Sequence, residues 1–283
     1  MIEININPTL FQGGPFVVTW HGFFTAVAVL AGILLSVKIG ALVGYSEEDI
    51  TSVALWSVIG GIVGARLMHV VDQWGYYSSD PVKILLINEG GLAIYGTVIG
   101  GPLVGAIYAW RRGFSVAKLL DVGAPCLILG MAIGRIGDII NGEHHGGPAA
   151  GLPFAVSYTH PNTLGEVSPT HLAVGYEMLI DLLIFGVLVA LLGRLPRPSM
   201  VFWLFAASYS FARFFIQFVR VDTIFALGLS QAQLMSFVVG AAAVWMLVYL
   251  YSRHRREQPG VASPVLETAT SSESPGTSAS TDD

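Results

Sequence analysis

Seven long apolar stretches, separated by short polar segments, dominate the chain. A helix that crosses a bilayer needs about 20 predominantly apolar residues. The stretches of about that length are Phe16–Ile39, Ile50–Val71, Leu92–Trp110, Leu119–Ile140, Ala173–Leu192, Met200–Phe218 and Ala232–Tyr251. This pattern predicts an all-α integral membrane protein built as a bundle of seven transmembrane helices.

Two segments depart from this pattern. The connection at about residues 141–171 places Phe154, Val156 and Tyr158 among several prolines, which predicts a small ordered cap. From residue 257 onward the sequence is rich in Ser, Thr and Pro, which is typical of a disordered tail. We therefore expect a transmembrane domain at residues 1–256 and a disordered tail at residues 257–283.

Composition supports a membrane protein. Of 283 residues, 53% are hydrophobic and only 12% are charged, whereas a soluble domain has about a quarter charged residues. No basic face for nucleic acid is evident, so nucleic acid is not an expected partner. The single cysteine, Cys126, lies in an apolar run and is expected to be a buried core residue rather than a nucleophile.

The lysines and arginines predict the orientation. Nine of them lie at the ends of the first, third, fifth and seventh stretches or just after them, whereas only Lys83 and Arg220 lie in the connections on the other side. Because positive residues concentrate in cytoplasmic connections, we expect the amino terminus and the cap outside and the carboxyl terminus in the cytoplasm.

The remaining three arginines lie inside the predicted spans. Arg66, Arg135 and Arg213 each fall in the outer half of a span, and His21 and Tyr95 stand near the outer ends of two more. A lone arginine near a helix end usually extends to the interface, but five polar side chains at one depth indicate a functional site.

The densest polar segment is Gly134–Gly146, with the sequence GRIGDIINGEHHG. Arg135 and Asp138 are three residues apart and share a helix face. Guanidinium groups in a low-dielectric groove suit a phosphate partner through charge-assisted hydrogen bonds. At this depth the obvious phosphate is that of a phospholipid headgroup.

Five segments together resemble one bacterial enzyme family, prolipoprotein diacylglyceryl transferase, and they occur in that family's order over about residues 10–252. They are WHG at Trp20–Gly22, GGIVGARLMHVVDQW at Gly60–Trp74, EGGLAIYGTVIGG at Glu89–Gly101, GRIGDIINGEHHG at Gly134–Gly146 and ARFFIQFVR at Ala212–Arg220. The resemblance implies a seven-helix bundle in the inner membrane with a periplasmic cap. It also implies transfer of diacylglyceryl from phosphatidylglycerol to the lipobox cysteine thiol of a prolipoprotein, yielding a thioether and glycerol phosphate without a cofactor.

The resemblance also implies roles for individual residues. Arg135 and Arg213 would bind the headgroup phosphate and stabilise its departure, Asn141 and Glu143 would organise the signature loop, and His21 would contact substrate. The implied catalytic set is Arg135, Arg213, Glu143, His21 and Tyr95, and the implied phosphatidylglycerol-binding set is Arg135, Arg213, Arg66, Asp138, Asn141 and Gln217. Arg66 could alternatively pair with a carboxylate such as Glu143.

The chain departs from the family pattern at several positions. Asp138 stands where the family usually has asparagine, and its charge would repel a phosphate unless an ion pair with Arg135 or a raised pKa removed that repulsion. Gln217 replaces the usual glutamate. Tyr95 stands where many members carry a histidine proposed as general base, and Ser168–Glu177 matches its family segment only loosely.

These departures leave several alternatives open. His21, His144 or His145 could act as the base, although the adjacent pair could equally be solvated loop residues. A metal site at His144, His145, Glu143 and Asp138 is less favoured because adjacent histidines lack the i, i+4 spacing of a zinc pair. The whole protein could also be a diverged, inactive family member, or a lipid-binding or transport protein that uses the same arginine-lined groove.

Overall fold

The computed structural model describes residues 1–14, 16–86 and 90–257, and for residues 94 and 95 it describes the backbone only. Its helices are α1 (Trp20–Leu42), α2 (Glu47–Asp72), α3 (Trp74–Tyr77), α4 (Ile94–Arg111), α5 (Val116–Asn141), α6 (Ala173–Leu191), α7 (Met200–Ile216) and α8 (Gln231–Glu257). Short 3₁₀ turns occupy Pro81–Leu85 and Gln217–Val219. The predicted tail lies outside the described residues, apart from Glu257, which ends α8.

Six of these helices are long and apolar enough to cross a membrane, namely α1, α2, α5, α6, α7 together with its 3₁₀ turn, and α8. The expectation of a mostly helical membrane protein is therefore confirmed. The predicted third span, Leu92–Trp110, coincides with α4, a helix of 18 residues that contains Pro102 and is not among the six. Seven crossings therefore stay a prediction.

The first helix begins later than predicted. Residues Phe16–Thr19 form strand β3, which pairs antiparallel with β2 (Thr9–Gly13). Helix α1 starts at Trp20 because the Thr19 side chain caps it by accepting a hydrogen bond from the Gly22 backbone N–H. The hairpin satisfies backbone groups that a longer helix would otherwise have paired.

Two further pairs of strands organise the connections. Strand β1 (Ile2–Ile4) pairs in parallel with β4 (Val156–Tyr158), and β5 (Ile224–Ala226) pairs with β6 (Leu229–Ser230). The Tyr158 hydroxyl donates to the Ile139 carbonyl at 2.8 Å, and burial raises the pKa of this phenol to about 12. The segment between α5 and α6 is therefore ordered and tied to the amino terminus, although its position outside a membrane stays a prediction.

Glycines allow two of the helix contacts to be very close. Helices α2 and α4 meet at Gly64 and Gly96, where a Cβ on either residue would lie 2.4 Å or less from the other's carbonyl oxygen. Helix α5 meets the start of α1 at Gly137, where a Cβ would lie 2.6 Å from the His21 Cα. Helices α5, α6 and α7 share an apolar core around Ile128, Leu188 and Val201, which fixes the helix faces that carry the polar site.

Candidate functional site

The centre of the site is the carboxylate of Glu177, in the second turn of α6. This residue is only 3% exposed, and it binds three arginines. Its Oε2 lies 2.5 Å from Arg135 Nη2, and its Oε1 lies 3.2 Å from Arg220 Nη1 and accepts a hydrogen bond from Arg213. One buried carboxylate therefore holds guanidinium groups from α5, from α7 and from the segment after α7.

Asp138 forms a second buried anionic centre beside the first. It is 4% exposed. Its Oδ2 accepts from Arg135 Nη1 at 2.9 Å, and its Oδ1 lies 2.7 Å from His21 Nδ1. The predicted ion pair between Arg135 and Asp138 is present, and Arg135 bridges the two carboxylates.

Local packing brings His21 to Asp138. His21 is the second residue of α1, whose first turn lies against the backbone of α5 at Gly137. Because Gly137 has no side chain, the two helices approach closely enough for the His21 ring to reach the carboxylate of the next residue. Both residues are predicted site residues, but nothing in the amino-acid sequence indicates that they pair.

The turn after α5 adds further polar groups. The helix ends at Asn141 and is capped by Gly142, which adopts the left-handed conformation with φ 74°; Asn141 Nδ2 donates to Glu143 Oε1 at 2.9 Å. Glu143 Oε1 also lies 3.9 Å from His21 Nδ1. Asn141 and Glu143 are therefore in direct contact, and their role in organising this turn stays a prediction.

His144 and His145 follow in the same turn and face different partners. His144 Nε2 lies 3.9 Å from Asp138 Oδ2, and His144 has a positive φ of 61°. Partial desolvation, and after it the positive charge of Arg220, lower the pKa of the His144 imidazole. His145 Nδ1 lies 4.0 Å from the exposed Glu166, so the two adjacent rings do not act on one group.

Arg66 is not part of this network in the described portion of the chain. Its guanidinium donates to five backbone carbonyls, those of Lys83, Ile84, Leu86, Gly90 and Gly91, at 2.5–3.1 Å. It also lies beside a separate cavity of about 350 Å³ that His69, Tyr76 and Lys83 help to line. The expected convergence of Arg66 with Arg135 and Arg213 is corrected here, because the loop carbonyls satisfy its donors; its role in binding substrate stays a prediction.

Two other predicted site residues are Gln217 and Tyr95. Gln217, which is buried in the 3₁₀ turn after α7, donates to the Asp222 carboxylate. The side chain of Tyr95 lies outside the described residues, although its backbone begins α4. The roles that the resemblance implies for Gln217 and Tyr95 stay predictions.

Glu177 was not among the predicted site residues, and Arg220 was predicted to lie in a connection and to share a helix face with Arg213 and Gln217. The available signal was the loosely matching segment Ser168–Glu177, together with the shared helix face of Arg213, Gln217 and Arg220. A buried carboxylate among apolar residues is itself a signal, because such a charge needs a partner.

His21, Asp138 and Glu143 each place one ligand-type atom within 4.8 Å of the others. However, the His21 and Asp138 atoms are 2.7 Å apart, a direct hydrogen-bond distance, whereas two tetrahedral zinc ligands at about 2.0–2.2 Å from the ion lie roughly 3.3 Å apart. Arg135 holds the other Asp138 oxygen. We therefore interpret these groups as a hydrogen-bonded network; the expectation that the protein uses neither metal nor cofactor stays a prediction.

The network is suited to an anionic group. Its buried part contains the guanidinium groups of Arg135, Arg213 and Arg220. The buried carboxylates of Asp138 and Glu177 hold them, and the exposed carboxylate of Asp222 lies 3.6 Å from Arg220. Positioned cations in a site of low dielectric stabilise charge that develops on a departing phosphate. The exposed part of the network contains the imidazole of His21, whose side chain is 45% exposed, so an acid–base group stands beside the anion site.

Comparison with known proteins agrees with the motifs. A sequence model of the prolipoprotein diacylglyceryl transferase family matches residues 8–249. Relatives described as phosphatidylglycerol–prolipoprotein diacylglyceryl transferases include one from Dehalococcoides mccartyi, 37% identical over 90% of this chain and 98% of the relative. Another from Limosilactobacillus reuteri is 34% identical over 90% of this chain and 94% of the relative, and one from Gloeobacter violaceus is 34% identical over 85% and 93%.

Proposed function

The chain belongs to the prolipoprotein diacylglyceryl transferase family, and we propose that it transfers the diacylglyceryl group of phosphatidylglycerol to the lipobox cysteine thiol of bacterial prolipoproteins. The sulfur displaces the headgroup at carbon, so the products are a thioether and glycerol phosphate. The family match over most of the chain does not favour the alternatives of a diverged, inactive member or a lipid-binding or transport protein.

The observation that carries this proposal is the cluster of Arg135, Arg213 and Arg220 around Glu177. Breaking the carbon–oxygen bond of phosphatidylglycerol leaves an additional negative charge on the phosphate. The positioned guanidinium groups of the cluster stabilise that oxygen as it departs. Glu177 is a positioning residue in this scheme, because it fixes the arginines without touching the lipid.

The other residues take supporting roles. Arg135 and Arg213 contact the phosphate, Asn141 and Glu143 shape the turn beside it, and His21 contacts substrate from α1. Asp138 keeps Arg135 in place. Arg66 and Gln217 belong to the lipid-binding region, and Tyr95 belongs to the catalytic set, by resemblance alone.

The same proposal places the protein in the bacterial inner membrane with seven crossings. The amino terminus and the cap at about residues 141–171 face the periplasm, the carboxyl terminus and the tail face the cytoplasm, and the site opens near the outer leaflet. The Met1 ammonium group donates to the Pro153 carbonyl at 2.8 Å, which supports putting the amino terminus and the cap on one side. The nine cationic residues at the other helix ends support putting that end in the cytoplasm.

A transfer assay with purified protein tests the proposal. Phosphatidylglycerol labelled in its diacylglycerol part and a lipobox peptide are supplied, and labelled peptide is expected. A peptide with alanine in place of the cysteine should stay unlabelled. Arg135→Ala should abolish transfer, whereas Cys126→Ala should retain it because that thiol is buried and donates to the Val122 carbonyl. No labelled peptide, where a known relative produces it, would contradict the proposal.

A further inference from the structure

We propose that His21 is the general base that takes the proton from the lipobox thiol, and that Asp138 is the positioning residue that orients it; this rests on the proposed function. The reaction needs such a base because the thiolate, and not the thiol, is the nucleophile, and a free cysteine thiol has a pKa of about 8.5. The tyrosine at position 95 is a poor base near neutral pH, since an ordinary phenol has a pKa of about 10.

The hydrogen bond between His21 and Asp138 assigns the tautomer of the imidazole. An ionised carboxylate can only accept, so His21 Nδ1 must carry the hydrogen that lies between it and Asp138 Oδ1, 2.7 Å away. In the neutral ring, Nε2 then carries the lone pair. A carboxylate in this position holds the ring in one orientation and stabilises the imidazolium that forms after proton transfer.

Asp138 is itself held rigidly. Its second oxygen accepts from Arg135 at 2.9 Å, and the residue is nearly fully buried. The charged groups that face His21 are Asp138 and Arg135 from α5 and Glu143 from the following turn. Two carboxylates against one guanidinium favour the protonated ring, which is the product of the proton transfer.

The neighbouring histidines lack this arrangement. His144 Nε2 is 3.9 Å from Asp138 Oδ2, beyond hydrogen-bond distance, and His145 is 4.0 Å from the exposed Glu166. The His21 side chain is about half exposed, so the ring is open to an incoming peptide. Of the three histidines, His21 therefore suits a base best, because its tautomer is fixed, Asp138 holds its ring and its side chain is exposed.

The proton and the electrons of the step balance. The thiol proton moves to His21 Nε2, the sulfur forms a bond to the glycerol carbon of the diacylglyceryl group, and the bond from that carbon to the phosphate oxygen breaks. The electron pair leaves with the phosphate, near the arginine cluster. The imidazolium then returns its proton to the phosphate monoester or to water.

This assignment accounts for the aspartate at position 138. An asparagine there could also accept from Nδ1, but it would carry no charge to stabilise the imidazolium. The aspartate provides that charge, and its pairing with Arg135 limits its repulsion of the lipid phosphate. The departures at positions 95 and 138 are then linked. With tyrosine at position 95, the base is His21 on α1, and the aspartate at position 138 on α5 orients it.

The test compares two acceptor peptides that differ only in having cysteine or selenocysteine at the lipobox position. A selenol is already ionised near pH 7, so it does not need the base. With the cysteine peptide, His21→Gln should lower kcat/KM by about 10²–10⁴-fold, and with the selenocysteine peptide most of that loss should disappear. Asp138→Asn should show a smaller loss of the same kind and shift the acid limb of the pH–rate profile to lower pH.

Two controls separate this role from others. Arg213→Lys acts on the leaving phosphate and should lower transfer to both peptides equally. His254→Gln, near the end of α8, should match the unsubstituted protein. If that protein transfers to neither peptide, the proposed function fails; if it transfers to both but His21→Gln loses both equally, or loses neither, the assignment of His21 as the base is overturned.

Discussion

Two buried carboxylates pair with the cationic side chains that lie within the apolar bundle of this protein. Glu177 provides an anion for three arginines, and Asp138 provides one for Arg135 and His21. A buried charge without a partner is strongly destabilising, whereas a paired one is tolerated. Each arginine therefore keeps its charge near the proposed lipid site because a carboxylate from another position neutralises part of it.

The first residue-scale prediction concerns Glu177. Glu177→Gln leaves three guanidinium groups without their shared anion, so we expect transfer to fall at least about 100-fold and the free energy of unfolding to fall by about 3–5 kcal/mol. Transfer kinetics and thermal unfolding in detergent measure the two effects. Glu166→Gln, at an exposed cap position, should change stability by less than about 0.5 kcal/mol. Equal behaviour of the two variants would argue against the central role of Glu177.

The second residue-scale prediction concerns acid stability. The folded protein lowers the pKa of His144 from its ordinary 6.5, so the unfolded chain takes up this proton at a higher pH than the folded protein does. Stability linked to the neutral ring is present above about pH 6.5 and is lost as the pH falls below it. In thermal unfolding between about pH 7.5 and pH 5, the unsubstituted protein should therefore lose Tm more steeply than His144→Asn. Parallel curves would contradict this.

At the scale of elements, close helix contacts position the site. The first turn of α1 approaches α5 only because Gly137 lacks a side chain, and that approach sets the distance between His21 and Asp138. The apolar core of α5, α6 and α7 fixes the faces that carry Arg135, Glu177 and Arg213. The site therefore depends on the packing of four helices, α1, α5, α6 and α7.

Gly137→Ala tests this dependence. The added Cβ would lie 2.6 Å from the His21 Cα, so α1 must shift and the hydrogen bond to Asp138 should lengthen. We expect transfer to fall at least about tenfold and stability to fall by about 1–3 kcal/mol. Gly123→Ala on the same helix, where nothing lies within 4 Å, should keep transfer and gain slightly in stability. Full activity of Gly137→Ala would show that this contact does not set the site.

At the scale of the whole molecule, the distribution of charge should set the orientation in the membrane. In a Cys126→Ala background, Ser79→Cys lies after α2 and Glu48→Cys lies in its first turn, so the two mark opposite ends of this helix. A membrane-impermeant maleimide added to spheroplasts should label Ser79→Cys and not Glu48→Cys, because the cationic connections stay in the cytoplasm. Permeabilised spheroplasts should label both. The reverse pattern in intact spheroplasts would overturn the proposed topology.

The membrane class, the approximate helices and the family could be predicted from the amino-acid sequence alone, because apolar runs and short motifs are local properties of the chain. The sequence also selected Arg135, Asp138 and His21, since charges in an apolar segment are conspicuous. It did not place the start of α1, because hairpin pairing and the Thr19 cap decided that boundary.

The partner of each charged side chain depends on the packing of the folded chain and could not be predicted from the sequence. Arg66, Arg135 and Arg213 look alike as arginines in apolar helices, yet Arg66 binds loop carbonyls while the other two share Glu177. The pairing of His21 with Asp138 likewise depends on a contact between α1 and α5, because the two residues are 117 positions apart in the chain. The physical reason is that a buried charge is satisfied by whichever group packing brings within hydrogen-bond distance, and packing is a property of the whole fold.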